Sequence, residues 1–281
     1  MLATLFEPFG YSFFNNGLAV ATLAGALCGL LGVFVVLRGM SYIGHGLSHA
    51  VFGGAAASAV VGINYFVGAG IWAVVSGVLI GRIARRRIIG ADAAIGVVTT
   101  ASFAIGLALL NRYGQAKKSI EAVLFGSVLG VERADIWAVS IVAVLVAVFI
   151  VTFYRRLLFA TFDPDVAQVT GVRVAWVEAM VMMMLSLTIL VTMRVIGTLL
   201  ISALLVIPAA TSRMLTNSFA RMLWISPLLG AASGFIGMNA AYHLDTSASA
   251  TVILVAAIGF VAVYAATGIR GRVRVAHVHH I

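Results

Sequence analysis

Charge-poor apolar runs recur along the chain at about 16–37, 42–63, 66–81, 91–110, 136–153, 174–193, 195–212, 222–242 and 247–268. A helix needs roughly 20 apolar residues to cross the hydrocarbon core of a bilayer, so the pattern predicts eight or nine transmembrane helices joined by short connections. Two stretches break it. Residues 119–131, SIEAVLFGSVLGV, are too short to cross and follow a charged loop, which predicts a re-entrant or surface helix on the outer side. Residues 155–173 open on Arg155 and Arg156, and within them 163–172 reads as a short amphipathic helix. Asp163 is its N-cap, Pro164 its first residue and Gly171 its stop. The expected fold is an all-α polytopic membrane bundle forming one domain over residues 1–281, with a polar tail at 269–281.

Composition sharpens this reading. Of 281 residues, 62% are hydrophobic and 10% charged, and the mean hydropathy is +1.12, which excludes a water-soluble enzyme. Eighteen Lys and Arg stand against nine Asp and Glu, a formal charge of +9. The basic residues punctuate the apolar runs, so the positive-inside rule accounts for them and no nucleic acid partner is expected. Starting the chain outside places thirteen of the eighteen in the cytoplasm: Arg38, Arg82, Arg85 to Arg87, Arg155, Arg156, Arg173, Arg213, Arg221, Arg270, Arg272 and Arg274. That predicts an outer N-terminus and a cytoplasmic C-terminus in a cell membrane. The single cysteine, Cys28, lies inside the first apolar run and cannot form an intrachain disulfide.

Ionisable side chains at membrane depth are costly and mark candidate sites. His45 and His49 lie four residues apart, on one face of a helix, close enough to hold one ion. Far along the chain, His243 and Asp245 add an imidazole and a carboxylate at the junction of the last two runs. Three imidazoles and a carboxylate suit a borderline divalent metal. The bland alternative is that each histidine hydrogen-bonds across helices, and a shared site requires His243 to reach the depth of His49. Glu178 reads as an interfacial structural acid. His277, His279 and His280 fall in the solvated tail, and Met180, Met182, Met183 and Met184 cannot all face one site, so they read as packing. His45-Gly46-Leu47-Ser48-His49 lacks the general-base glutamate of a helical metalloprotease motif. No G-x-x-x-x-G-K-S/T phosphate loop occurs, so no intrinsic cofactor or ATP site is expected and the chain does not read as an enzyme.

Six segments in order resemble one family. They are VLRGMSYIGHGLSHAVFGG at 36–54, GADAAIGVV at 90–98, LFGSVLGV at 124–131, TFDPDVAQVTGV at 161–172, VIGTLLISALLVIPAATSRML at 195–215 and YHLDTSASATVIL at 242–254. Together they are similar to the permease subunits of metal-cation ABC importers of the type II kind, the zinc and manganese uptake group.

The resemblance implies a second permease copy, two cytoplasmic ATP-binding subunits that hydrolyse ATP, and an extracytoplasmic metal-binding protein. It implies a coupling helix at 163–172, with Asp163, Ala167 and Gly171 at the matching positions, and an outer mouth around 119–131. Ser48 and His49 match the family motif, whereas His45 stands where the family commonly has aspartate. A nitrogen-rich site suits zinc better than manganese, so the expected cargo is Zn2+, with Mn2+ second, and Asp245 becomes the expected charge-bearing ligand. The competing reading is an ion-gradient-driven secondary metal transporter, which would show inverted repeats.

Overall fold

The computed structural model describes residues 7–85, 89–113 and 130–278. After a single 3-10 turn at Glu7–Gly10, the described chain forms eleven α-helices. They are α1 (Ser12–Leu37), α2 (Ile43–Val61), α3 (Tyr65–Arg85), α4 (Ala91–Tyr113), α5 (Arg133–Thr152), α6 (Tyr154–Phe162), α7 (Pro164–Val169), α8 (Val174–Ile196), α9 (Thr198–Leu215), α10 (Phe219–His243) and α11 (Ala248–Val278). Each of the nine apolar runs coincides with one helix. Seven of the described helices are long and apolar enough to cross a membrane, and α9 contributes a shorter apolar helix at Ile201–Leu215. The all-α bundle is therefore the fold.

Residues 119–129 of the expected re-entrant segment lie outside the described residues, as do Arg86, Arg87, Lys117, Lys118, His279 and His280. The expected tail from 269 is instead the last turns of α11, which continues to Val278. No proline interrupts that stretch, and arginine is a good helix former.

α1 is apolar on every face, the signature of a helix surrounded by others. In its apolar stretch 67% of residues are buried, against 17% in α11, so α1 is central and α11 peripheral. Its main partner is the antiparallel α10, along a seam of small residues spaced by four. Gly25 faces Gly230, Gly29 faces Ser226, and Gly234 faces Ala21, so closely that a methyl group on Gly25 would overlap the Gly230 carbonyl oxygen. Such spacing lets backbones approach where no hydrophobic force drives association. The Ser226 hydroxyl uses the approach to donate to the Gly29 carbonyl at 2.6 Å. Gly25→Ala is expected to spread the seam at a cost of about 1–3 kcal/mol, the range for overpacking a tight core. A lowered thermal-aggregation midpoint in detergent would show it; an unchanged midpoint would mean the seam is slack.

α2 is the second hub, wedged against α3, α4, α8 and α9. A Cβ on Gly46 would press on Ile95 and Thr99 of α4, one on Gly54 on Trp72 of α3, and one on Gly44 on Leu205 and Ser202 of α9. The order of contacts, Gly46 to Ile95 and Gly53 to Ser102, makes α2 and α4 parallel, so both begin at the same end of the bundle. α8 and α9 are separated only by Gly197, whose φ of +80° is disfavoured for residues with a Cβ. The methionines pack as expected: Met182 and Met184 are buried, and Met182 lies against Gly77 of α3.

At one end of the bundle, Phe219 joins Phe34, Tyr154 and Phe162 with ring centroids 5.6–5.8 Å apart, tying the end of α1 and the start of α10 to α6. There the chain makes the short helix α7. Asp163 caps it, accepting from the Val166 backbone N–H at 3.0 Å, and Pro164 follows at the first turn. Gly171, at φ +81°, turns the chain into α8. Asp163 and Gly171 are exposed, whereas Ala167 is fully buried, so this side chain seats α7 on its own chain. The other five residues of α7 are exposed, and its outward large apolar side chains are Val166 and Val169, the latter 90% exposed.

Candidate metal site

His45 and His49 occupy the first two turns of α2, on the face turned toward α4. Their Nε2 atoms are 3.1 Å apart and their rings meet edge to face, with centroids 4.5 Å apart. His49 also packs edge-on against Phe103 of α4 at 4.9 Å, and Phe103 lies against Phe52 at 5.1 Å, which fixes the ring's position. Two nitrogens each about 2.0–2.1 Å from one tetrahedral ion stand roughly 3.3 Å apart. The observed pair therefore needs little adjustment to share an ion. Ser48, between them, is buried and donates at 2.6 Å to the Gly44 carbonyl, so this motif residue serves the helix and not the cavity.

The pair lines an open cavity of about 400 Å³ with Thr99, Thr100 and Phe103 and with Asp92 in the first turn of α4. Asp92 lies in the GADAAIGVV segment but is not marked out by spacing, because 43 residues separate it from His49. Only the parallel packing of α2 and α4 brings a carboxylate to the same cavity. The signal available in the sequence was its place in the first turn after an apolar-run boundary, which is equally the place of an ordinary helix-dipole acid.

His243 and Asp245 lie elsewhere. Tyr242, beside His243, packs its ring on Phe14 at 5.4 Å, which puts this corner at the N-terminal end of α1. His45 follows the other end of α1, on the order of 30 Å away at 1.5 Å per residue. Both residues are exposed at the α10–α11 turn, where Asp245 takes φ +49°. Among the described residues no three His, Cys, Asp or Glu side chains gather into one metal-holding group. The expected four-residue set is thus not assembled within one chain, because α1 holds its two halves at opposite ends.

The fold is a bundle of membrane-length apolar helices with an imidazole pair at an open cavity and a short capped helix between two of the helices. The chain belongs to the ABC 3 transport family, which matches residues 10–267. It is 35% identical over 246 residues to the manganese transport system membrane protein MntC of Halalkalibacterium halodurans, covering 88% of this chain and 84% of the relative. It is 37% identical over 252 residues to the manganese import system permease protein ScaB of Streptococcus parasanguinis, covering 89% of each. The solved structure of PsaBC from Streptococcus pneumoniae in complex with Fab superposes with a TM-score of 0.83 at 32% identity, over 94% of this chain and 95% of that one.

Proposed function

We propose that this chain is the membrane permease of an ATP-driven importer for a divalent transition metal ion, with zinc the ion that its donor set fits best. The observation that carries the reading is the 3.1 Å imidazole pair inside a bundle of the ABC 3 transport family. MntC and ScaB are named as manganese proteins, and manganese is the competing cargo. Two imidazole nitrogens that no carboxylate among the described residues joins in a metal-holding group suit zinc. Zinc takes four ligands where one chain offers two, and His45 is exposed at the open cavity. A second permease copy presenting its own pair would complete a tetrahedral set. The outer N-terminus and cytoplasmic C-terminus follow from the thirteen-to-five basic ratio. On that orientation α7 faces the cytoplasmic ATPase as the coupling helix, Asp92 lies at the inner mouth, and an extracytoplasmic binding protein delivers the ion from the other side.

The test uses the complete complex in sealed proteoliposomes. Labelled zinc should accumulate only with ATP and the binding protein, should persist when ionophores collapse all ion gradients, and should bind at one ion per two permease chains. Manganese should compete weakly. Uptake that needs an ion gradient and ignores ATP would replace this reading with a secondary transporter, and preferential manganese uptake would overturn the choice of zinc.

A further inference from the structure

Arg38 follows the last residue of α1, where the chain turns through Gly39–Tyr42 into α2 and the histidine pair. It does not extend into water as a boundary arginine would. The side chain is half-buried, and its Nε and Nη2 both donate to the Thr161 hydroxyl oxygen, at 3.4 and 3.3 Å. Nη1 is buried with no hydrogen-bond partner among the described residues. Burial pulls the guanidinium below the usual arginine value, and the Glu178 carboxylate opposes that pull, so the two opposite charges sense each other.

The three residues stand at three junctions. Thr161 is two residues before Asp163, the cap of α7, and Glu178 is in α8, which leaves α7 on the other side. The guanidinium thus bonds the arm before α7 to the base of the helix that carries His45 and His49, with the Glu178 carboxylate of the arm after α7 acting on it through space. The link from Arg38 to α2 is not slack. The Met40 N–H bonds the Val35 carbonyl at 3.0 Å, the Ile43 N–H bonds the Met40 carbonyl at 2.9 Å, and Met40 itself is buried.

We infer that Arg38 is a positioning residue that ties α7 to the metal-binding helix, so that displacement of α7 by the ATPase is passed to His45 and His49 through the Thr161–Arg38 hydrogen bonds. The inference rests on the function proposed above. The physical reason is the cost of leaving the charge behind. A half-buried guanidinium withdrawn from its acceptor is left uncompensated and destabilised, so when α6 moves, the end of α1 and the start of α2 must follow. Arginine suits the task because its rigid planar fork can engage a hydroxyl with two nitrogens while a third faces elsewhere, which lysine cannot reproduce.

The experiment compares the assembled wild-type complex with Arg38→Gln and Arg38→Lys in proteoliposomes, measuring zinc moved and ATP hydrolysed together, with zinc binding to the detergent-purified complex as a separate readout. Arg38→Gln should bind zinc and hydrolyse ATP normally while zinc moved per ATP falls about tenfold, equivalent to some 1.4 kcal/mol of lost coupling. Arg38→Lys should recover part of that ratio. An unchanged ratio in Arg38→Gln overturns the inference, and so does a parallel loss of binding, hydrolysis and transport, which marks a merely structural residue. If Arg38→Gln does not assemble, Thr161→Val decides, since it removes the acceptor without disturbing a charge. It should lower the ratio about threefold, the scale of one hydrogen bond, and an unchanged ratio again overturns the inference. Failure of the wild-type complex to move metal with ATP would instead overturn the function proposed above.

Discussion

Replacing His49 with alanine is expected to abolish zinc uptake while the complex still assembles. Loss even of a residue that merely orients a ligand commonly costs about 10–100-fold in metal affinity, so removing one of only two imidazoles should cost more. The fold should tolerate the change because His49 is half-buried, its Nε2 bonds only to His45, and its Nδ1 is buried without a partner among the described residues. His45→Asp should behave differently. That position is exposed at the cavity, and a carboxylate there restores the acid that the resembling family commonly carries. Uptake should persist and selectivity should move toward manganese, which prefers oxygen donors. Asp92→Asn should weaken uptake without abolishing it, because Asp92 lines the cavity outside ligating distance of the pair. Protons compete with the ion for each imidazole, so wild-type uptake should fall on acidification. Isotope uptake across this series is the measurement, and unimpaired zinc transport by His49→Ala would sink the site.

Much of this was legible from periodicity. Nine apolar runs became nine helices because transmembrane segments must satisfy their backbone internally, so length and apolarity nearly determine helix identity. His45 and His49 were legible because four residues on a helix is a local relation. Asp92 was not, since its approach to the pair depends on which helices are neighbours and whether they run parallel, and neither is encoded in spacing. The same ignorance of long-range geometry allowed His243 and Asp245 to be grouped with the pair, where α1 in fact separates them. Glu178 reads as structural from its place near a helix start. Arg38, whose charge it acts on, lies 140 residues earlier and appears in the sequence as one more inner-face arginine. Ala167 shows a subtler limit. A short motif names the residues of α7 but not which way each faces, and a six-residue helix packed on one side must turn some of them inward.

That difference in facing yields the second large effect. If α7 docks in a cleft of the ATPase, the residue that meets the partner is Val169, at 90% exposed, and not Ala167, at 0%. Val169→Arg adds length and charge to a surface already in water. It should leave the permease as stable as wild type, since surface changes away from caps and buried partners usually fall within about 0.5 kcal/mol. At a close apolar contact, however, the same arginine must be desolvated without a counter-charge, which costs several kcal/mol. Val169→Arg should therefore abolish zinc transport and metal-stimulated ATP hydrolysis while the purified permease melts normally. Ala167→Arg should fail earlier: a guanidinium cannot fit beneath α7, so the helix must unseat from α6 and α8, and a lowered melting midpoint should accompany the loss of activity. Thermal stability in detergent, together with co-purification of the ATPase, separates the two outcomes. Normal transport by Val169→Arg would show that α7 is not the docking element, whatever becomes of Ala167→Arg.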